Sequence, residues 1–268
     1  MATTGDYIIS GGQAGKSRLN VLASVLENST RNLLLANGLK EGSAFLDVGC
    51  GGGNVATMAA EIVGKQGYIT ALDFDESLIA LNRQDAAAQG IGNLKYHAIS
   101  AYDVANQNEF DVVYARFLLS HLQRPAEVLL NMVRAAKPGG RIVVEDVQFS
   151  GHFCYPANAA FERYLQLYSA LATTRGQNPE IGPALFGMLK QTGITAVGFD
   201  VIQPAFSSGA GKQMAYITMD RIKKAVISQG LATEDEVAQI LSQLAAFTAD
   251  EQSIISLPRI FRVWGVKA

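Results

Sequence analysis

The sequence predicts an α/β fold, a doubly wound and mainly parallel sheet. Three observations lead there. Short apolar runs alternate with amphipathic helical stretches between residues 44 and 147. The first run feeds a glycine-rich turn, Gly49-Cys50-Gly51-Gly52-Gly53, and the second ends on an acid, Asp73. Strands separated by helices favour parallel pairing, with helices on both faces and right-handed crossovers.

Leu19, Leu22, Val25, Leu26, Leu33 and Leu34 recur at helical spacing over 18–37, and Gly38 is the expected stop. Residues 44–48 form the first strand, and Asn54 is expected to cap a helix over 55–63. A second strand covers 68–72; Asp75 or Glu76 opens the next helix and Gly90 closes it. Residues 94–99 and 110–115 are the third and fourth strands. Pro125 suits the first turn of a helix reaching 136. Residues 137–140, Lys-Pro-Gly-Gly, read as a turn before a fifth strand over 141–147. After residue 150 the rhythm changes: a loop over 150–156, helices over 158–174 and 181–192, and a strand over 195–204. Residues 212–249 are helical, broken at Gly230 and capped again by Thr233. A last strand over 254–266 is interrupted near Pro258.

With 268 residues, 49% of them hydrophobic, the chain suits one domain with modest insertions and a sizeable core. A net charge of -2 without a long basic run argues against nucleic acid as a partner. Cys50 and Cys154 lie far apart without a CxxC pattern, so neither a disulfide framework nor a structural zinc site is expected. The N-terminus lacks the apolar stretch of a secretory signal, and the longest uncharged run, 147–161, is short of the roughly 20 residues that span a bilayer. The expected location is cytoplasmic, without a membrane span.

A glycine turn between strand and helix lets a ligand approach the backbone at the carboxyl ends of the strands. NAD(P) and S-adenosylmethionine (SAM) are the two obvious occupants. The dinucleotide pattern is GxGxxG, with a pyrophosphate on the helix N-terminus. Here the order is Gly49-x-Gly51-x-Gly53 with Asp47 just upstream. A carboxylate gains nothing from a pyrophosphate, whereas it attracts the ammonium of SAM. Asp73 suits the hydroxyls of a ribose in either case.

FLDVGCGGG, ITALDFDES, FDVVYARFLLSHL and AAKPGGRIVVED, in that order, resemble the motifs of class I SAM-dependent methyltransferases. The resemblance covers about 30–150 and is nearest to the small-molecule group that includes ubiquinone and menaquinone C-methyltransferases. It implies a Rossmann-like, seven-stranded sheet whose last strand is antiparallel, with helical lid insertions. It divides a single domain into an N-terminal helical cap (1–40), a SAM-binding core (41–150), lid insertions (151–180 and 205–250) and the last strand (251–268). The opening YIISGGQAGKSRL resembles a lead-in that closes over the cofactor. By the same resemblance Gly49, Gly51 and Gly53 line the methionine and ribose of SAM, Asp47 orients its amino end, and Asp73 takes the ribose. Phe74 stacks on adenine, Ala101 and Tyr102 touch the adenine edge, and Ala115 and Arg116 lie near the methionine tail. Arg116 is read either as facing a carboxylate or as a surface ion pair. Ser100-Ala101-Tyr102-Asp103 departs from the Asp-Ala that members often carry there.

Methyl transfer from a sulfonium needs alignment and exclusion of water more than acid–base chemistry. The candidate bases are His121, alternatively a packing residue, and His152, alternatively a loop anchor; Glu145 and Asp146 either polarise a nucleophile or end a strand. Phe149, Phe153, Tyr155 and Tyr168 are expected to wall an apolar or aromatic small-molecule substrate. Ala115-Arg116-Phe117-Leu118 offers no acidic ligands, so no metal is expected. A homodimer stays open, as do two other functions: a SAM-binding protein without transferase activity, and an NAD(P)-dependent oxidoreductase.

Overall fold

The computed structural model describes the backbone of residues 12–268, with side chains from residue 15 onward. Helix α1 (Gly12–Ala36) precedes strand β1 (Ala44–Val48). Then follow α2 (Asn54–Val63), β2 (Tyr68–Asp73), α3 (Glu76–Ala88), β3 (Leu94–Ala98), β4 (Phe110–Arg116), α4 (Pro125–Ala135) and β5 (Ala136–Gln148). The second half comprises β6 (Cys154–Tyr155), α5 (Ala159–Thr174), α6 (Leu185–Gln191), β7 (Thr195–Ile202) and β8 (Ala205–Phe206). It ends with α7 (Met214–Ser228), α8 (Glu234–Ala249), β9 (Ile254–Ser256) and β10 (Arg259–Val266).

Seven strands form one sheet in the order β3-β2-β1-β4-β5-β10-β7, with β10 antiparallel to both its neighbours. The fold class is therefore the one the sequence predicts. Order reverses between β1 and β4, which opens a crevice at the carboxyl end of β1, the usual ligand position in such sheets. Every residue of β1 is buried, because one face packs on the Val113, Leu129 and Ile142 cluster and the other on the Phe45, Ile79 and Val112 cluster. A side chain of this size that is fully buried contributes about 1.5–3 kcal/mol.

A third apolar cluster joins α5, α7 and α8, with Tyr164, Leu171, Met219, Ile222 and Leu244 at its centre. It stands over the crevice beside a small sheet, β6-β9-β8.

Some local expectations change. Asn54 does not cap α2: Gly53 holds that position in left-handed conformation, φ 78°, and Asn54 Nδ2 donates to Asn20 Oδ1 instead. The fifth strand starts at Ala136, because Ala136 pairs with Phe110 and the Gly139–Gly140 turn is bonded by the chain end. Gly139 N donates to Lys267 O at 2.8 Å and Lys267 N to Gly140 O at 2.9 Å. The single tail strand is two strands in two sheets, since Ser256 N bonds Phe153 O and Leu257 N bonds Pro204 O. The 150–156 loop supplies β6 as a partner for β9. The lead-in before Gly12 lies outside the described residues.

Candidate active site

β1 ends in a turn held by its neighbour strand: Gly49 N and Cys50 N both donate to Leu72 O at 2.8 Å. Gly49 has φ 73°, and a Cβ there would meet Leu118 Cδ1 at 2.8 Å, so both backbone and packing require glycine. The next turn of chain rests on Asp73. Its Oδ2 accepts from Gly51 N at 3.0 Å and its Oδ1 from Asp75 N at 3.1 Å. A carboxylate has about four acceptor sites, so a further donor can still be served. Asn82 Nδ2 donates to Gly51 O at 2.8 Å, and Lys16 Nζ bonds Asn82 Oδ1 at 2.8 Å and Asp85 Oδ2 at 2.7 Å. Lys16 and Asn82 escaped the sequence reading. The signal for Asn82 was present, a polar residue on the buried stripe of Leu78, Ile79 and Ala86.

Asp47, Gly49, Gly51, Asp73, Phe74 and Arg116 line one cavity. Phe149, Tyr168, His121 and His152 line the same cavity farther under the lid cluster, so the cofactor and substrate candidates from five segments converge.

Six expected site residues lie off it. Gly53 is the helix cap, packed on Tyr96. Ala115 is wholly buried in the sheet core. Ala101 and Tyr102 form a turn whose carbonyls accept from Asn131 Nδ2 at 3.1 and 2.9 Å, and the Tyr102 ring lies under the Arg124 guanidinium. Phe153 and Tyr155 are 46% and 68% exposed around β6, so they wall no pocket.

Electrostatics divides the cavity. Burial raises the Asp47 carboxyl to a pKa of about 7, against the opposing charge of Arg116 and with Asp73 adding to the rise. Asp47 Oδ2 is buried without a hydrogen-bond partner. Asp73 is also raised by burial, though the Asp75 and Gly51 amides favour its charged form. Arg116 is no surface ion pair: Nη1 donates to Thr30 Oγ1 at 3.0 Å, and Thr30 in turn donates to the buried Glu145, which also accepts from Tyr114.

Under the lid, Phe149 stacks on Tyr168 with ring centroids 4.0 Å apart and meets the His152 ring at 4.5 Å. His152 Nδ1 sits 2.7 Å from Phe149 O, which makes Nδ1 the protonated nitrogen and leaves Nε2 as the acceptor. Burial lowers both His152 and His121 to a pKa of about 4; for His121 the charge of Arg18 adds to it and a Gln177 hydrogen bond opposes it. Glu145 and Asp146 lie within β5, which runs on to Gln148, and neither lines the cavity. Both are fully buried, and Asp146 accepts from Ser120 N at 3.0 Å and Val147 N at 2.9 Å. Arg18, Tyr164 and Thr218 also line this end and were not singled out from the sequence. Among the described residues, no group of three His, Cys, Asp or Glu side chains is placed to hold a metal.

A buried carboxylate with one unpartnered oxygen beside a glycine turn fits a cationic amine, and a second carboxylate with spare acceptor sites fits a pair of hydroxyls. The donor set therefore suits SAM.

Residues 39–180 match the family model described as a methyltransferase domain. The demethylmenaquinone methyltransferase of Shouchella clausii is 37% identical over 106 residues, which is 39% of this chain and 45% of that protein. The ubiquinone/menaquinone biosynthesis C-methyltransferase of Yersinia enterocolitica is 30% identical over 130 residues, 48% of this chain and 51% of that protein. The chain thus spans about half the length of the curated relatives it matches. Among solved structures, phosphoethanolamine N-methyltransferase 2 of Haemonchus contortus, in complex with phosphomonomethylethanolamine and S-adenosylhomocysteine, shares the fold. The TM-score is 0.57 at 18% identity, over 90% of this chain and 52% of that one.

Proposed function

Because this chain belongs to the methyltransferase-domain family, we propose that it transfers a methyl group from SAM to a small, apolar or aromatic acceptor. The observation that carries the reading is the pair of acids on successive strands, Asp47 with its unpartnered Oδ2 and Asp73, in one cavity with the glycine turn. Asp47 would hold the ammonium of SAM, Asp73 its ribose hydroxyls, and Phe74 would pack on its adenine. When bound, SAM supplies an electrophilic methyl on a sulfonium that leaves as a neutral thioether.

The chain's own contribution is placement and dryness. In the division into cap, core and lid, α5, α7 and α8 cover the acceptor chamber and exclude water from it. His152 and His121, with pKa values near 4, are neutral at physiological pH and weak as bases. Their part is to position the acceptor by hydrogen bonding, His152 through Nε2. A pyrophosphate-binding oxidoreductase is disfavoured, because Asp47, buried beside the glycine turn, would repel the diphosphate. No helix among the described residues is long and apolar enough to cross a membrane.

Calorimetry with S-adenosylhomocysteine (SAH) tests the reading. Asp73→Ala is expected to weaken SAH binding by about 1–3 kcal/mol, the scale of lost hydrogen bonds to a charged group. Unchanged affinity would remove Asp73 from the site, and wild-type protein that ignores SAH but binds NAD would overturn the reading. His152→Ala is expected to lower turnover of a methyl acceptor while SAH affinity stays within about threefold; the reverse split would make it an anchor of the cofactor loop.

A further inference from the structure

The cavity is electrically lopsided. Its three described carboxylates, Asp47, Asp73 and Asp75, all belong to the glycine-turn end, where the two cations Lys16 and Arg116 are bonded to Asp85 and to Thr30. At the lid end the wall carries a guanidinium, Arg18 on α1, with the hydroxyls of Tyr164, Tyr168 and Thr218. Arg18 Nε donates to Thr218 Oγ1 at 3.2 Å, which ties α1 to α7. Its charge reaches α5 as well. Burial dominates the acidity of both phenols, pushing Tyr164 well above its ordinary value and Tyr168 up to about 12, but at both Arg18 pulls the other way. The same charge acts on His121, beyond the end of β4. Three elements thus place their polar groups around one half-buried cation.

Packing a wholly neutral acceptor against that wall would strip water from the charge, a costly step in a low-dielectric chamber. An acid group on the acceptor offsets the cost. The guanidinium fork matches a carboxylate or phosphate with two parallel bonds, and phenol hydroxyls donate to the same oxygens. In the opposite orientation the anion would face the end that carries all three described carboxylates, where Lys16 and Arg116 already have partners.

Resting on the methyltransferase reading of the cavity, we propose that the acceptor is an apolar or aromatic molecule bearing an anionic group. Arg18, with the Tyr164 and Tyr168 hydroxyls, grips that group at the lid end. The methyl-accepting atom then lies on the side nearer the glycine turn, so Arg18 determines specificity and orientation.

The test uses the full chain saturated with SAH and three probes of one shape: 1-naphthoate, 1-naphthyl phosphate and the neutral 1-naphthamide, titrated by calorimetry. At least one anion is expected to bind about tenfold more tightly than the amide, the scale of a charge-assisted pair. Whichever anion wins identifies the source as carboxylate or phosphate. Arg18→Gln should erase the gap and leave SAH affinity unchanged, while Arg18→Lys should retain part of it. The proposal is overturned if amide and anions bind alike, if none of the three binds, or if Arg18→Gln loses SAH affinity, since Arg18 would then serve the cofactor. Wild-type protein that fails to bind SAH strikes the methyltransferase reading first, before any probe is added, and this inference falls with it.

Discussion

Replacing Asp47 by Asn is expected to make the ligand-free protein more stable and its cofactor binding much weaker. The folded-state pKa of Asp47 is raised from 3.8 to about 7, with desolvation the leading cause. For an acid shifted upward, the folded state holds its proton more firmly than the unfolded chain does. The contribution to stability is therefore full below pH 3.8 and is lost as pH rises through 7. Ionising this group in the ligand-free fold costs on the order of 4 kcal/mol. Asn has no charge to bury, so the variant should gain stability that grows from about pH 4 and levels off above about pH 7. The expected gain at pH 8 is about 2–4 kcal/mol, read by chemical denaturation. SAH affinity should fall by about 1.5–3 kcal/mol, the value of a hydrogen bond to a charged group. In the wild type the same logic predicts that SAH affinity weakens as pH falls below about 7, because the carboxyl must ionise to meet the ammonium. Equal stability of both proteins across this pH range would mean that Asp47 is not buried at a cost. Equal SAH affinity would mean that it does not face the amine.

Much of the fold was legible because its signals are local. β1 to β4 are short runs whose bounds agree with the sequence reading to within a residue, the first closed by a glycine turn and the second by an acid. The start of β5 was not legible, since what bonds the Gly139–Gly140 turn is Lys267, more than a hundred residues away. The tail was misread for the same reason: whether β9 and β10 share a sheet depends on β6 and β8 as partners for β9. In the site, Asp47 and Asp73 announce themselves as acids at strand ends. Arg18, Lys16 and Tyr164 do not, because each sits on a helix whose apolar spacing describes packing, and only the closed fold turns them onto the cavity. Phe153 and Tyr155 fail in the opposite sense. Aromatic composition suggested a wall, but pairing with β9 carries them outward.

Gly53 shows the limit of the glycine pattern, and its substitution separates two roles that a spacing rule merges. Gly53→Ala is expected to lose stability by about 2–4 kcal/mol while the folded fraction keeps its SAH affinity within about threefold. Two costs combine. At φ 78° an alanine is strained by about 1–2 kcal/mol. Its Cβ would also come within 2.4 Å of Tyr96 Oη. That hydroxyl cannot simply swing away, because Tyr96 is 5% exposed on β3 and donates to Gly53 O at 3.3 Å. In a Tyr96→Phe background the nearest ring carbon would stand at 3.1 Å, so the overpacking part should shrink and the backbone part remain. The double-mutant cycle should therefore show coupling of about 0.5–3 kcal/mol between the two positions. A glycine that touched the cofactor would behave differently: alanine there would cost affinity with the fold intact, and Tyr96→Phe would not alter the loss. Retained stability together with lost SAH binding would return Gly53 to the cofactor wall and assign the capping of α2 elsewhere.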